Sequence, residues 1–240
     1  MDADDPMRRL GAAVHQGDLV AILAELPAIQ VMGGLQLGGD GLLLALDQDA
    51  PGAVETARSW VAALHERAWE GDAELAQQLE AWFGTRPPHG LKPLPVDLDE
   101  LSNILEGDPL YGGGKIDLRT GEVWPQFAFD DGIAFDDEED EDGVDDEERW
   151  LTVWCEGSRS GYRDMEIFAD TFTNAGRRDR LEIALQGRGA FRRFKDVLAR
   201  WPAEFTRWHA FSDERRRGRA RAWLADAGYR VVPRGDRSAP

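Results

Sequence analysis

Cysteine is almost missing from this chain: its 240 residues contain one, Cys155. A single thiol excludes an intramolecular disulfide and offers no metal-ligand pattern. Long apolar runs are missing too. None approaches the roughly 20 residues that span a bilayer, so no membrane segment is expected. The start, Met1-Asp2-Ala3-Asp4-Asp5, is acidic, whereas a secretory signal is basic and then apolar; a cytoplasmic location is the expectation. Neither Gly-x-Ser-x-Gly nor His-Glu-x-x-His occurs, which removes two motif-borne hydrolytic chemistries. His15, His65, His89 and His209 are scattered, with no carboxylate or cysteine partner at ligand spacing. No metal site, no cofactor and no recognisable catalytic motif are expected.

What is present suits a folded core. Hydrophobic residues make up 42% of the chain, with nine Trp and ten Phe, and such aromatics bury large areas. The length suits one large domain or two small ones. Net charge is −18 but is unevenly placed. Residues 130–148 hold 13 acids and no base, while residues 177–240 hold 17 bases against 8 acids. Sign asymmetry of this kind can steer a partner. The plainer alternative is that the two regions neutralise each other.

Local signals place the elements. Asp5-Pro6 starts a helix, Gly17 ends it, and Asp18 caps a second helix that runs to Pro27. Leu35–Leu37 and Leu42–Leu44, around Gly38-Gly39-Asp40-Gly41, predict a hairpin with a glycine turn. Residues 52–69 suit a helix with Val54, Ala57, Val61 and Leu64 on one face, and Asp72 opens another that ends near Gly84. Residues 85–95 hold four prolines and read as a semi-rigid linker between two parts of the chain. Beyond it come a short helix from Asp97 to Leu105, a hairpin of Lys115–Leu118 and Glu122–Trp124 about Gly121, and a third strand over Trp150–Glu156. Helices follow at about 160–172, 176–186, 189–200 and 203–227, with a frayed tail after Gly228. The expected fold class is α+β: a mostly helical N-terminal region over 1–84, then a small antiparallel sheet packed against four C-terminal helices over 96–228.

Three constellations invite a functional reading. Gly112-Gly113-Gly114-Lys115 suggests a phosphate loop, but Ile116 follows the lysine where Ser or Thr should, and a strand follows instead of a helix; the glycines suit a tight turn into the hairpin. The run 130–148 alternates Asp136, Glu138 and Asp140 without the register of a calcium-binding loop, so it reads as a solvated insertion, with masking of the chain's own basic helices as a second reading. The third constellation has the most weight. Phe191, Phe194, Val197, Leu198 and Trp201 take apolar helical spacing between Arg188, Arg192, Arg193 and Lys195, and Arg215, Arg216, Arg217, Arg219 and Arg221 cluster downstream. The aromatics suit a core, and the cations suit phosphates or carboxylates.

The stretches Gly112–Leu118 with Thr120–Val123, Tyr162-Arg163-Asp164-Met165-Glu166 with Phe168, and Gly187–Lys195 with Ala210–Arg215 together resemble the bacterial uncharacterised protein family 0158, over residues of about 95–228. That resemblance implies a fold and no chemistry. The expected function is a binding or regulatory protein that meets an acidic protein or polymer with Arg188, Arg192, Arg193, Lys195 and Arg215 to Arg221. A nucleic-acid partner on the same face is the alternative. A further alternative is an enzyme holding an anionic substrate with Arg163, Asp164, Glu166 and Arg188; convergence of those four in one pocket would favour it.

Overall fold

The computed structural model describes residues 6–85, 90–130 and 148–233. Its first part is a bundle of five helices: α1 (Pro6–Gln16), α2 (Leu19–Met32), α3 (Leu35–Asp47), α4 (Ala53–Arg67) and α5 (Asp72–Trp82). The Asp18 side chain caps α2 by accepting from the Ala21 amide, 3.1 Å. Helix α2 does not stop at Pro27; it runs on to Met32 and closes on Gly33, whose φ of 81° suits a left-handed C-cap.

The expected hairpin over residues 35–44 is instead helix α3. Every residue from Leu35 to Leu46 except Asp40 is buried. A helix enclosed by neighbours on all sides has no polar stripe to reveal its period. The glycines that resembled a turn serve close packing. A β-carbon on Gly38 would lie 2.2 Å from the Trp60 ring, and one on Gly39 would lie 2.3 Å from Leu75. Trp60 is fully buried, and its indole N–H donates to the Leu35 carbonyl at 2.9 Å.

The second part is α+β, as the patterning implies. Helix α6 (Leu98–Leu105) is capped by Asp97. Strands β2 (Gly114–Asp117), β3 (Val123–Pro125) and β4 (Trp150–Val153) form an antiparallel sheet in the order β3-β2-β4, and the short helix α7 (Gln126–Asp130) follows β3. The glycines before Lys115 admit neighbouring backbone. A β-carbon on Gly113 would lie 1.9 Å from the Val153 carbonyl, and one on Gly114 would lie 2.3 Å from that of Trp124. Four helices follow: α8 (Arg159–Asp170), α9 (Ala175–Leu185), α10 (Ala190–Leu198) and α11 (Pro202–Asp226). Phe168, Leu181, Phe194, Leu198 and Trp208 from these helices build one core, while Ile116, Val153, Leu101, Ala220 and Leu224 build another beneath the sheet. Helix α11 contributes to both, so it is the C-terminal helix that meets the sheet.

Two corrections concern the ends of this part. Lys92–Leu94, inside the expected linker, form β1, and Tyr229–Val231, inside the expected frayed tail, form β5; the two pair in parallel. Pro93 is tolerated because a two-stranded ribbon leaves one edge of each strand unpaired. The linker residues 86–89, the acidic segment 131–147 and the tail 234–240 lie outside the described residues.

Helix α11 is 25 residues long, roughly 37 Å at 1.5 Å per residue. It lies against α3, α5, α6, α8 and α10. At Gly218 it touches the turn between α4 and α5. A β-carbon on Gly218 would come within 2.1 Å of the Glu70 carbonyl, and one on Gly71 within 2.2 Å of the Gly218 carbonyl. This contact brings the arginines of α11 into the protein interior.

Candidate functional site

The arginines of α11 are spent on the chain's own acceptors. Arg215 donates to Asp164 at 2.9 Å. Arg216 reaches Asn103 at 2.6 Å and lies 3.6 Å from Glu106. Arg217 pairs with Asp40 at 3.2 Å and also with Asp99. Arg219 bridges Asp164, at 2.8 Å, and Glu106. Arg221, only 2% exposed, donates to Gln36 at 2.7 Å, Gln78 at 3.2 Å and Asp40. Glu214 continues the network. Its carboxylate accepts from the Gln36 and Leu37 amides at 2.7 and 3.1 Å and from Arg67 at 3.0 Å. Arg67 is also bound to Asp72 at 2.6 Å.

Burial dominates the electrostatics of this network. Desolvation pushes the Glu214 carboxyl above its ordinary value, and Arg67 with the two backbone amides offsets that only in part. Asp99 and Asp213 are exposed at its edge, Asp99 beside Arg217. Arg217 and Arg219 lose solvation but keep their protons more firmly because carboxylates surround them. Nothing in the periodicity of the sequence marks Gln36, Arg67, Asp72, Gln78 and Glu214 as one cluster. The available signal was polar side chains, Gln36 and Gln78, set among leucines and alanines.

The hairpin of α9 and α10 is different. Gly187 and Gly189 take left-handed φ angles of 75° and 77° and turn the chain between the two helices. Arg193 closes the end of α9, donating to the carbonyls of Ala184 at 3.1 Å and Gly187 at 3.3 Å, and to those of Gln186 and Arg188. Phe194 and Leu198 are fully buried, whereas Phe191 stays 37% exposed. Residues 177–200 hold eight cations against three carboxylates, Asp179, Glu182 and Asp196. Arg177 and Arg178 are paired with Glu204, Asp170 and Glu182. Arg180, Arg188, Lys195 and Arg200 are exposed and have no carboxylate within ion-pair distance among the described residues. Arg192 is 90% exposed and only loosely apposed to Asp196, at 3.9 Å.

The structure thus divides the sequence-predicted candidates. Arg188, Arg192 and Lys195 are exposed on the α9–α10 hairpin, Arg193 is built into its turn, and Arg215, Arg216 and Arg217 lie in internal ion pairs. Arg163 and Glu166 are exposed along a groove between α8 and α9 shared with Tyr162, Glu182 and Gln186. Asp164 lies on the other side of α8, 1% exposed beneath Arg215 and Arg219, and Arg188 is not part of that groove. The four residues of the enzyme reading therefore do not share a pocket. Lys115, in β2, places its Nζ 5.2 Å from the ring centroid of Phe129 in α7, and the Cys155 thiol donates to the Gly107 carbonyl at 3.2 Å. No group of His, Cys, Asp and Glu able to hold a metal ion occurs among the described residues, and no described helix is long and apolar enough to cross a membrane.

Comparison with known proteins agrees with the resemblance seen in the motifs. Residues 139–240 match the model of the Uncharacterised protein family (UPF0158). The match covers β4, α8 to α11 and β5, so both the basic hairpin and the arginines of α11 fall within it. No curated protein and no solved structure matches the chain.

Proposed function

We infer the function from the surface of the chain, since the UPF0158 family matched by residues 139–240 is described without an activity. We propose that the protein is a cytoplasmic binding or regulatory protein whose recognition surface is the α9–α10 hairpin, and that its partner is an acidic protein or polymer. One observation carries this reading: in a chain of net charge −18, Arg180, Arg188, Lys195 and Arg200 lie exposed on one hairpin with no carboxylate partner among the described residues. Charges left unpaired in this way cost little in solution and raise the association rate of an oppositely charged partner. The arginines of α11 take no part, because their carboxylates are already in place. Phe191 and Ile183, 37% and 66% exposed, add apolar contact area beside the cations.

The test is a fluorescence titration of the full chain with labelled poly-L-glutamate and, separately, with a labelled single-stranded RNA oligonucleotide. Binding of the polyglutamate should weaken with salt. Reversing Arg188, Arg192 and Lys195 together to Glu should weaken it by at least about tenfold, since each cation removed from such a patch lowers affinity. Tighter binding of the RNA, lost in the same variant, would move the reading to the nucleic-acid alternative, where Phe191 would act as a stacking platform. Absence of binding to both polymers at low salt would overturn the proposal.

A further inference from the structure

Helix α2 carries only two polar residues, Glu25 and Gln30. Glu25 is its one charged residue, tied to Arg9 at 2.7 Å. Ile22, Leu26 and Ile29 are fully buried in the N-terminal bundle. On the opposite face, Val20, Ala24, Pro27 and Val31 are all exposed, Val20 at 81% and Val31 at 89%. With about 3.6 residues per turn they fall within an arc of roughly 60°. A helix without a polar face is normally covered on both sides, yet nothing among the described residues covers this one.

We propose that two copies of the chain meet here, α2 against α2 about a twofold axis. Three observations select a second copy as the occupant. First, the four residues on this arc, flanked by the exposed Ala28 and Met32, are spaced 4, 3 and 4 residues apart, a pattern that reads the same in both directions. Antiparallel pairing about its midpoint sets Val20 against the partner's Val31 and Ala24 against the partner's Pro27. Self-complementarity of this kind is what an isologous interface requires. Second, the larger side chains lie at the ends and the smaller at the centre, so two helices can cross closely. The face carries no charge, so two copies of a strongly acidic chain bring no like charges together on it. Third, the apolar surface continues past the helix. Val31 and Met32 lead into a groove of about 480 Å³ whose walls include Trp69, Ala210 and Phe211. One helix face is small beside the about 800 Å² per partner of a standard interface, and the groove supplies additional area. This surface is separate from the α9–α10 hairpin, and the proposal does not depend on what that hairpin binds.

Sedimentation of the full chain from low to high micromolar concentration tests the proposal. A concentration-dependent dimer is expected. Ala24→Glu, at an exposed position, should raise its dissociation constant at least about tenfold by opposing charges near the axis, with helical content and melting unchanged. A second measurement fixes the geometry. Val20→Cys and Val31→Cys proteins, mixed and oxidised, should form a disulfide-linked dimer that neither forms alone, with Cys155 common to both. A monomer at every concentration would overturn the proposal and leave the face to a different protein. So would a dimer indifferent to Ala24→Glu, or Val31→Cys crosslinking with itself as readily as with Val20→Cys.

Discussion

At the scale of single residues, two arginines 29 positions apart, Arg192 and Arg221, have opposite roles. Arg192 points into water at 90% exposure, and Arg221 is 2% exposed among Gln36, Gln78 and Asp40. Breaking a buried charge network from one side leaves acceptors desolvated and unmatched, which costs about 3–5 kcal/mol. An exposed side chain contributes within about 0.5 kcal/mol. Urea unfolding of Arg221→Ala should therefore show a loss of about 3–5 kcal/mol, against no more than about 0.5 kcal/mol for Arg192→Ala. Comparable losses in both would mean that the α11 arginines are not held internally.

At the scale of elements, helix α10 was legible because its faces differ. Apolar residues at 190, 194 and 198 alternate with cations, and the structure buries Ala190, Phe194 and Leu198. Phe194 packs edge-on to Trp208, with ring centroids 4.9 Å apart, and near Phe168 at 6.4 Å. Emptying such an aromatic site costs about 3–5 kcal/mol, so Phe194→Ala should lower the thermal stability of the protein sharply. A variant as stable as the parent would show that the aromatics do not form this core. Helix α3 was illegible for the converse reason. It is enclosed by neighbours, and its glycines, chosen for contact with Trp60 and Leu75, carry the same letters as a turn. The pairing of β1 with β5 was hidden because it joins residues more than 130 positions apart, with a proline in one strand.

At the scale of the whole molecule, charge that is segregated in sequence is partly annulled in space. Asp40, Asp99, Glu106 and Asp164 lie between 50 and 180 positions before the α11 arginines they neutralise. The joint between the N-terminal bundle and α11 contains a carboxyl, Glu214, that burial lifts above its ordinary value of 4.5. It faces Arg67 directly, with Asp72 and Arg217 nearby. In the pH range from about 4.5 up to the raised value, the native state holds more protons at this site than the unfolded chain. That contribution to stability is complete below about pH 4.5 and is lost as pH rises through the folded value. Stability measured by urea unfolding between pH 4.5 and 7.5 should fall more steeply in the parent than in Glu214→Gln. The carboxyls of Asp99 and Asp213 are present in both proteins and cancel in the comparison. Equal slopes would remove Glu214 as the source.

The sequence by itself determined the elements whose signals are local: the caps at Asp18 and Asp97, the three-stranded antiparallel sheet around Gly121, the four C-terminal helices and the glycine-bounded turn before α10. Each is marked by capping residues, turn residues or side-chain periodicity within a few positions, even where the pairing itself, as of β2 with β4, joins residues more than 30 positions apart. Tertiary structure alone decided which cations are free. An arginine's availability depends on where a distant carboxylate comes to rest. In this protein Gly218 brings α11 against Gly71 closely enough to place its arginines among those carboxylates, while Arg180, Arg188, Lys195 and Arg200 of the α9–α10 hairpin have no carboxylate beside them among the described residues.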